Sequence, residues 1–183
     1  MTNAIIVGDG PGGLSCALFL AKNGVETTVF GQDKTAMHYA LLFNYLGILE
    51  ISGSDFQDIA RKQVTNFGAK LENALVTEVT KTDGGFSVAT EDGTTHSAKY
   101  VVLAEGKGVK LNQSLDLAKE GRSVEVDRNG RTAVSNLYAV GRSTKMNRSQ
   151  AIISAGEGAA AALDILSTEA GRDVLDYDSP PKE

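Results

Sequence analysis

The first thirty residues constrain this chain more than any other stretch, because they read as strand, glycine turn, helix, strand. Ala4, Ile5, Ile6 and Val7 form a short unbroken apolar run, the pattern of a strand buried on both faces of a parallel sheet. The next six residues are Gly8-Asp9-Gly10-Pro11-Gly12-Gly13, so Gly8, Gly10 and Gly13 fill the pattern G-x-G-x-x-G. Leu14, Ala17, Leu18 and Ala21 follow at helical spacing, and Gly24 stands where a helix stops. Thr27 to Phe30 is β-branched and aromatic, a second strand. A pyrophosphate-binding turn needs this chemistry. Glycines make the turn, let the backbone approach the phosphates and let helix pack on strand. The helix N-terminus then offers free N–H groups and the positive end of its dipole to an anion.

A lone G-x-G-x-x-G also occurs in tight βα turns that bind nothing; the strands and helix around it give it weight. The acid that takes the ribose hydroxyls belongs at the end of the second strand. Here that place reads Gly31-Gln32-Asp33, with Gln32 able to hydrogen-bond a ribose and Asp33 too far along.

The chain has 183 residues, enough for one domain with a real core and short for two. We expect one domain over residues 1–170 and a loose acidic tail over 171–183, where Ser179, Pro180 and Pro181 fall. A net charge of −5 argues against nucleic acid and anionic membranes as partners. No apolar run suggests a membrane span, and no signal peptide is visible, so the expected place is the cytoplasm. Cys16 is the one cysteine, which excludes an internal disulfide or a C-x-x-C pair. It reads as a packed small residue, with a reactive thiol as the alternative. His38 and His96 lack companions that would make a metal site or a base.

Further along, 34–53 is apolar without a clean period, either an irregular loop over a pocket or a core helix. Ser54 and Gln57 have capping-box spacing for a helix that packs through Phe56, Ile59, Ala60, Gln63, Val64 and Phe67. Strands are expected within 70–79, in a hairpin over 86–100, at Val101–Ala104, near Val124 and at Leu137–Val140. A last helix should run from about Ser149 to Ile165, with Gly156 and Gly158 small enough for a close backbone contact.

Several of these segments, in order, resemble the FAD-binding domain of thioredoxin reductase-like flavoproteins. The glycine turn resembles that family's phosphate turn. Asn44-Tyr45-Leu46-Gly47 with Ile51-Ser52-Gly53 resembles its E-N-F-P-G-F…I-S-G segment beside the flavin ring. Val102 to Gly106 resembles the strand ending in A-T-G, and Leu137 to Arg142 the strand ending in A-G-D. Gln150-Ala151 with Ala155-Gly156-Glu157-Gly158 resembles the R-Q-A…A-G-D-G helix that faces the flavin pyrimidine. The resemblance implies an α/β fold: a three-layer FAD/NAD(P)-binding, Rossmann-like domain with a parallel sheet and a small antiparallel sheet. It also implies FAD as cofactor and a homodimer. The cofactor-binding residues it assigns are Gly8, Asp9, Gly10, Pro11, Gly12, Gly13, Gly31, Gln32, Asn44, Val76, Ala104, Glu105, Gly106, Gly141, Arg142, Gln150 and Ala151; no catalytic residue is identified.

Departures from the family pattern shape the functional expectation. The family inserts an NADPH domain carrying the C-x-x-C between the A-T-G and A-G-D strands; here only 30 residues separate Gly106 from Leu137. The chain alone therefore lacks the hydride donor site and the dithiol of a complete thioredoxin reductase. Glu105 stands for the family threonine and Arg142 for its aspartate, and the two could pair with each other. The expected function is a single-domain FAD oxidoreductase-type flavoprotein that takes electrons from a partner protein or an external reductant. The alternative is a non-catalytic nucleotide-binding module, a sensor or complex subunit that has kept the fold.

Overall fold

The computed structural model describes residues 3–108 and 110–180. Strand β1 (Asn3–Val7) is followed by helix α1 (Pro11–Lys22) and β2 (Glu26–Phe30). The stretch 31–52 is irregular: a 3-10 turn at Ala36–Tyr39, then the short strands β3 (Leu41–Leu42) and β4 (Ile51–Ser52). This is the loop reading of that stretch rather than the core helix. Helix α2 (Gly53–Asn66) leads to β5 (Lys70–Glu72), β6 (Val76–Thr82), β7 (Gly85–Thr90), β8 (Thr95–Ala98) and β9 (Tyr100–Leu103). A short helix α3 (Lys110–Ser114) and the ribbon of β10 (Lys119–Glu120) and β11 (Ser123–Val124) fill the next connection. Strand β12 (Leu137–Ala139) and helix α4 (Ala151–Ala170) complete the order.

Five strands form one parallel sheet in the order β12-β9-β1-β2-β5. β1 lies at its centre and is apolar on both faces because both are covered. On one face α1 and α4 pack through Leu14, Ala17, Leu20, Ala161, Ala162 and Ile165 against Ile6, Val102 and Val140. On the other, the antiparallel sheet β6-β7-β8 packs Val79, Phe86 and Val88 against Ile5, Val101 and Leu103. The result is three layers. Strand order reverses beside β1, since β2 leaves on one side and β9 on the other; ligands bind at the carboxyl ends of such strands.

Two expectations shift. The cap of α2 is Ser52, whose Oγ accepts from the Asp55 N–H at 3.0 Å, two residues before the expected Ser54. The capping pair is therefore Ser52 with Asp55, and Gln57 is freed to reach elsewhere. Helix α4 runs to Ala170, where Gly171 closes it at φ 64°. At 20 residues it is long and apolar enough to cross a membrane by length and composition, against the sequence expectation. In the fold that apolar character is used in the core against α1. Beyond it, the described part of the tail has neither helix nor strand, and Lys22 holds Asp176 at 2.9 Å and Asp178 at 2.6 Å. Residues 181–183 of the expected tail lie outside the described residues.

Candidate cofactor site

The glycine turn is shaped by backbone contacts that no side chain could share. A Cβ on Gly8 would lie 2.3 Å from the Ala104 carbonyl oxygen, and one on Gly13 2.0 Å from that of Gly8. These glycines press the turn against the end of β9 and seat α1 on β1. From the other side α4 closes in: a Cβ on Gly158 would lie 2.0 Å from the Gly12 carbonyl oxygen. Gly10 differs. A Cβ there would meet nothing nearer than Thr35 Oγ1 at 3.6 Å. The space over Gly10 is open, directly at the start of α1.

Helix α1 begins at that space with Gly10 as its N-cap and no side-chain cap, so its first N–H groups are left to a ligand or solvent. Helix α4 begins the same way: Gln150 is its N-cap and makes no side-chain cap bond. Instead Gln150 Oε1 accepts from Asn44 Nδ2 at 3.0 Å, tying the irregular loop to the start of α4. Two uncapped helix starts at one sheet edge favour an anionic, elongated ligand.

Arg142 lies just past β12. Its Nε is buried and has no hydrogen-bond partner among the described residues. A buried donor without an acceptor is costly, and a phosphate or ribityl oxygen would satisfy it. The expected pairing of Arg142 with Glu105 is not formed: no ion pair joins them among the described residues. Glu105 Oε1 accepts the Leu111 N–H at 3.1 Å, drawn to the first turn of α3 instead.

The other sequence candidates fall on two sides of the crevice. Ala104 donates its N–H to Val7, and Gly106 and Gly141 take φ of 67° and 78°, ending β9 and β12 beside the glycine turn. Ala151 opens α4. Pro11 is the first residue of α1, where its missing N–H costs nothing. Gln32 donates to Glu91 and accepts from Lys34, each at 3.2 Å. Glu91 also accepts the Leu75 N–H, which brings Gln32 near Val76, the buried first residue of β6. Gly31 abuts the Asp9 side chain.

Three residues that sequence reasoning did not select complete the site. Glu157 Oε2 accepts the Gly141 N–H at 2.6 Å and the Thr144 hydroxyl at 3.0 Å, and Glu157 pairs with Lys145. Arg61 pairs with the Asp9 carboxylate, and Gln57 Nε2 donates to the Asp9 carbonyl oxygen. Glu157 stood within the A-G-E-G segment, a signal that was present. Nothing local in α2 marks Arg61 or Gln57.

Among the described residues the site holds no activated nucleophile. Burial pushes the Cys16 thiol up to about 12, so it stays protonated and packed. His38 lies between Asp33 and Ser54: Nε2 donates to the Asp33 carbonyl oxygen at 2.9 Å, with Asp33 Oδ1 at 3.1 Å, and Nδ1 is 2.9 Å from the Ser54 hydroxyl. Among the described residues no group of three or more His, Cys, Asp or Glu could hold a metal ion. The chemistry on offer is binding of a phosphorylated, elongated cofactor.

Residues 40–159 match the family model described as pyridine nucleotide-disulphide oxidoreductase, and residues 1–40 match one described as FAD binding domain. The chain is 34% identical over 118 residues to a thioredoxin reductase of Helicobacter pylori, covering 60% of this chain and 37% of that protein. It is 34% identical over 128 residues to a thioredoxin reductase of Streptomyces clavuligerus, covering 67% of this chain and 40% of that protein. The chain thus spans well under half the length of these relatives. Among solved structures, the thioredoxin reductase of Streptococcus pyogenes superposes with a TM-score of 0.85 at 14% identity, over 93% of this chain and 99% of the other. That likeness gives the fold, which is the FAD/NAD(P)-binding, Rossmann-like fold expected from the sequence. The open glycine turn, the uncapped starts of α1 and α4 and the family match over most of the chain lead to one conclusion: the chain belongs to the pyridine nucleotide-disulphide oxidoreductase family, as a thioredoxin reductase-like FAD-binding chain.

Proposed function

We propose that this chain is one FAD-binding domain, residues 1–170, of an oxidoreductase-type flavoprotein whose electrons come from an external reductant or a partner protein. The observation that carries the reading is the open space over Gly10 at the uncapped start of α1, together with the unpartnered Arg142 Nε past the end of β12. Backbone N–H groups of the turn and of α1 hold the pyrophosphate. The start of α4, oriented by Asn44 through Gln150, supports the flavin end and favours negative charge there. Arg142 donates to the phosphates or the ribityl chain, and Glu157 fixes the Gly141 turn that presents it. The bound flavin supplies the redox chemistry, since the site offers no nucleophile or acid–base pair among the described residues. A homodimer fits the apolar side chains that the irregular loop leaves in solvent, and the charge and lone buried thiol fit a cytoplasmic protein.

The test is the visible spectrum of the protein after incubation with excess FAD and gel filtration. Flavin bands that travel with the protein support the reading; a colourless protein overturns it. A second reading, a non-catalytic adenine-nucleotide module, is favoured by Gly31 at the acid position. It predicts that ADP or NAD raises the melting temperature at least as much as FAD does.

A further inference from the structure

The residue after β2 is Gly31, where dinucleotide-binding folds carry the acid that accepts the ribose hydroxyls. A Cβ on Gly31 would lie 2.2 Å from Asp9 Cγ and 2.6 Å from Asp9 Oδ1. The carboxyl group of Asp9, projecting from inside the glycine turn, therefore fills the volume into which a side chain at residue 31 would grow. The two positions exclude each other sterically. An acid at 31 needs a small residue at 9, and an aspartate at 9 needs glycine at 31.

Asp9 is also held for a purpose. Its Oδ2 accepts the Asp33 N–H at 2.9 Å and pairs with Arg61, and Gln57 donates to its carbonyl oxygen. Asp33 takes a φ of 53°, so the chain turns just after the residue whose N–H meets the carboxylate. Contacts from α2 and from the loop after β2 thus fix one residue that is only 6% exposed. The bonds to the Asp9 carboxylate go to Oδ2, and the remaining oxygen, Oδ1, is the one nearest the missing side chain of Gly31. A carboxylate this close to a pyrophosphate turn would repel the ligand; the Arg61 guanidinium beside it offsets that charge.

We propose that Asp9 accepts the 2′- and 3′-hydroxyls of the adenosine ribose, replacing the acid that β2 lacks, with Arg61 as the residue that positions and neutralises it. The inference rests on the FAD reading above and adds the residue that recognises the adenosine end. The ligand class it selects is an ADP moiety with a free ribose diol. A ribose bearing a 2′-phosphate would bring a dianion against Asp9 and is rejected.

The experiment is a binding cycle by titration calorimetry, with ADP and 2′,3′-dideoxy-ADP against the wild type and Asp9→Asn, and FAD alongside. The wild type should bind ADP about tenfold or more tighter than the dideoxy compound, the scale of a lost charge-assisted hydrogen bond. In Asp9→Asn that preference should collapse. The double variant Asp9→Gly with Gly31→Asp, which exchanges the two side chains across the same space, should restore it. Wild-type protein that binds FAD but treats ADP and its dideoxy analogue alike overturns this inference and leaves the FAD reading intact, without depending on any variant folding. Full retention of the preference in Asp9→Asn overturns it equally. Protein that binds neither FAD nor ADP overturns both.

Discussion

Gly156 and Gly158 lie two residues apart on α4 and look equivalent in the sequence, yet their surroundings demand opposite outcomes. A Cβ on Gly156 meets nothing within 4 Å, so Gly156→Ala should stabilise the protein by up to about 1 kcal/mol through helix propensity. A Cβ on Gly158 meets the Gly12 backbone, which cannot rotate away, so Gly158→Ala should cost about 1–3 kcal/mol. Urea unfolding of the pair checks both signs. Gly10 gives a third pattern. Its φ of −76° suits any residue and its nearest neighbour is 3.6 Å away, so Gly10→Ala should fold as well as the wild type. The added methyl stands in the proposed pyrophosphate space, and FAD affinity measured by flavin fluorescence should fall about tenfold or more.

Helix α4 is anchored at its far end by a polar cluster rather than by the site. Asp164 accepts from Tyr138 Oη at 2.7 Å, Asn129 Nδ2 at 2.8 Å and Arg131 Nη2 at 3.0 Å; Glu169 accepts from Tyr100 Oη at 2.7 Å. Burial works to raise the Asp164 carboxyl, but these donors outweigh it and hold the group below the usual carboxylate value. A folded-state value below the unfolded one, about 3.9, means that the stabilisation is present above that pH and is lost as pH falls through the lower folded value. Asp164→Ala should cost about 2 kcal/mol near neutrality, chiefly by stranding the Tyr138 hydroxyl, and should flatten the acid limb of a melting-temperature profile below about pH 4. At this scale the sequence was most readable where pattern and period are local. The unbroken run at Ala4–Val7, the glycine turn and the alternating hairpin from Phe86 each carry their structure in consecutive residues. Ser52 was overlooked as the α2 cap because Ser54 has the same side chain and the capping bond decides between them only once the backbone turns. The Asp9–Arg61 and Gln57–Asp9 contacts span about fifty residues and leave no periodic trace, so the most specific part of the site was invisible until the chain was folded.

Across the whole molecule, the irregular loop exposes Tyr39, Phe43, Leu46 and Leu49, with Leu46 at 89% and Leu49 at 98%, and Ile59 of α2 is exposed as well. Between α1, α2 and that loop lies an apolar cavity of about 280 Å³ bordered by Leu14, Leu18, Tyr45, Ile48 and Phe56. Exposed apolar side chains concentrated in one loop are what the proposed dimer contact would cover. On the homodimer proposal, sedimentation velocity should give a dimer for the wild type and a monomer for the double variant Leu46→Glu, Leu49→Glu, whose FAD spectrum is unchanged. A single concentration-independent monomer for the wild type would remove the proposal. The close seating of Gly158 on Gly12 has one more consequence, which concerns time. The phosphate turn is made before the surface that completes it, which belongs to α4, some 145 residues later. A nascent chain therefore carries a half-built turn until α4 has emerged and docked, and on the FAD proposal its capacity to capture cofactor switches on at that point.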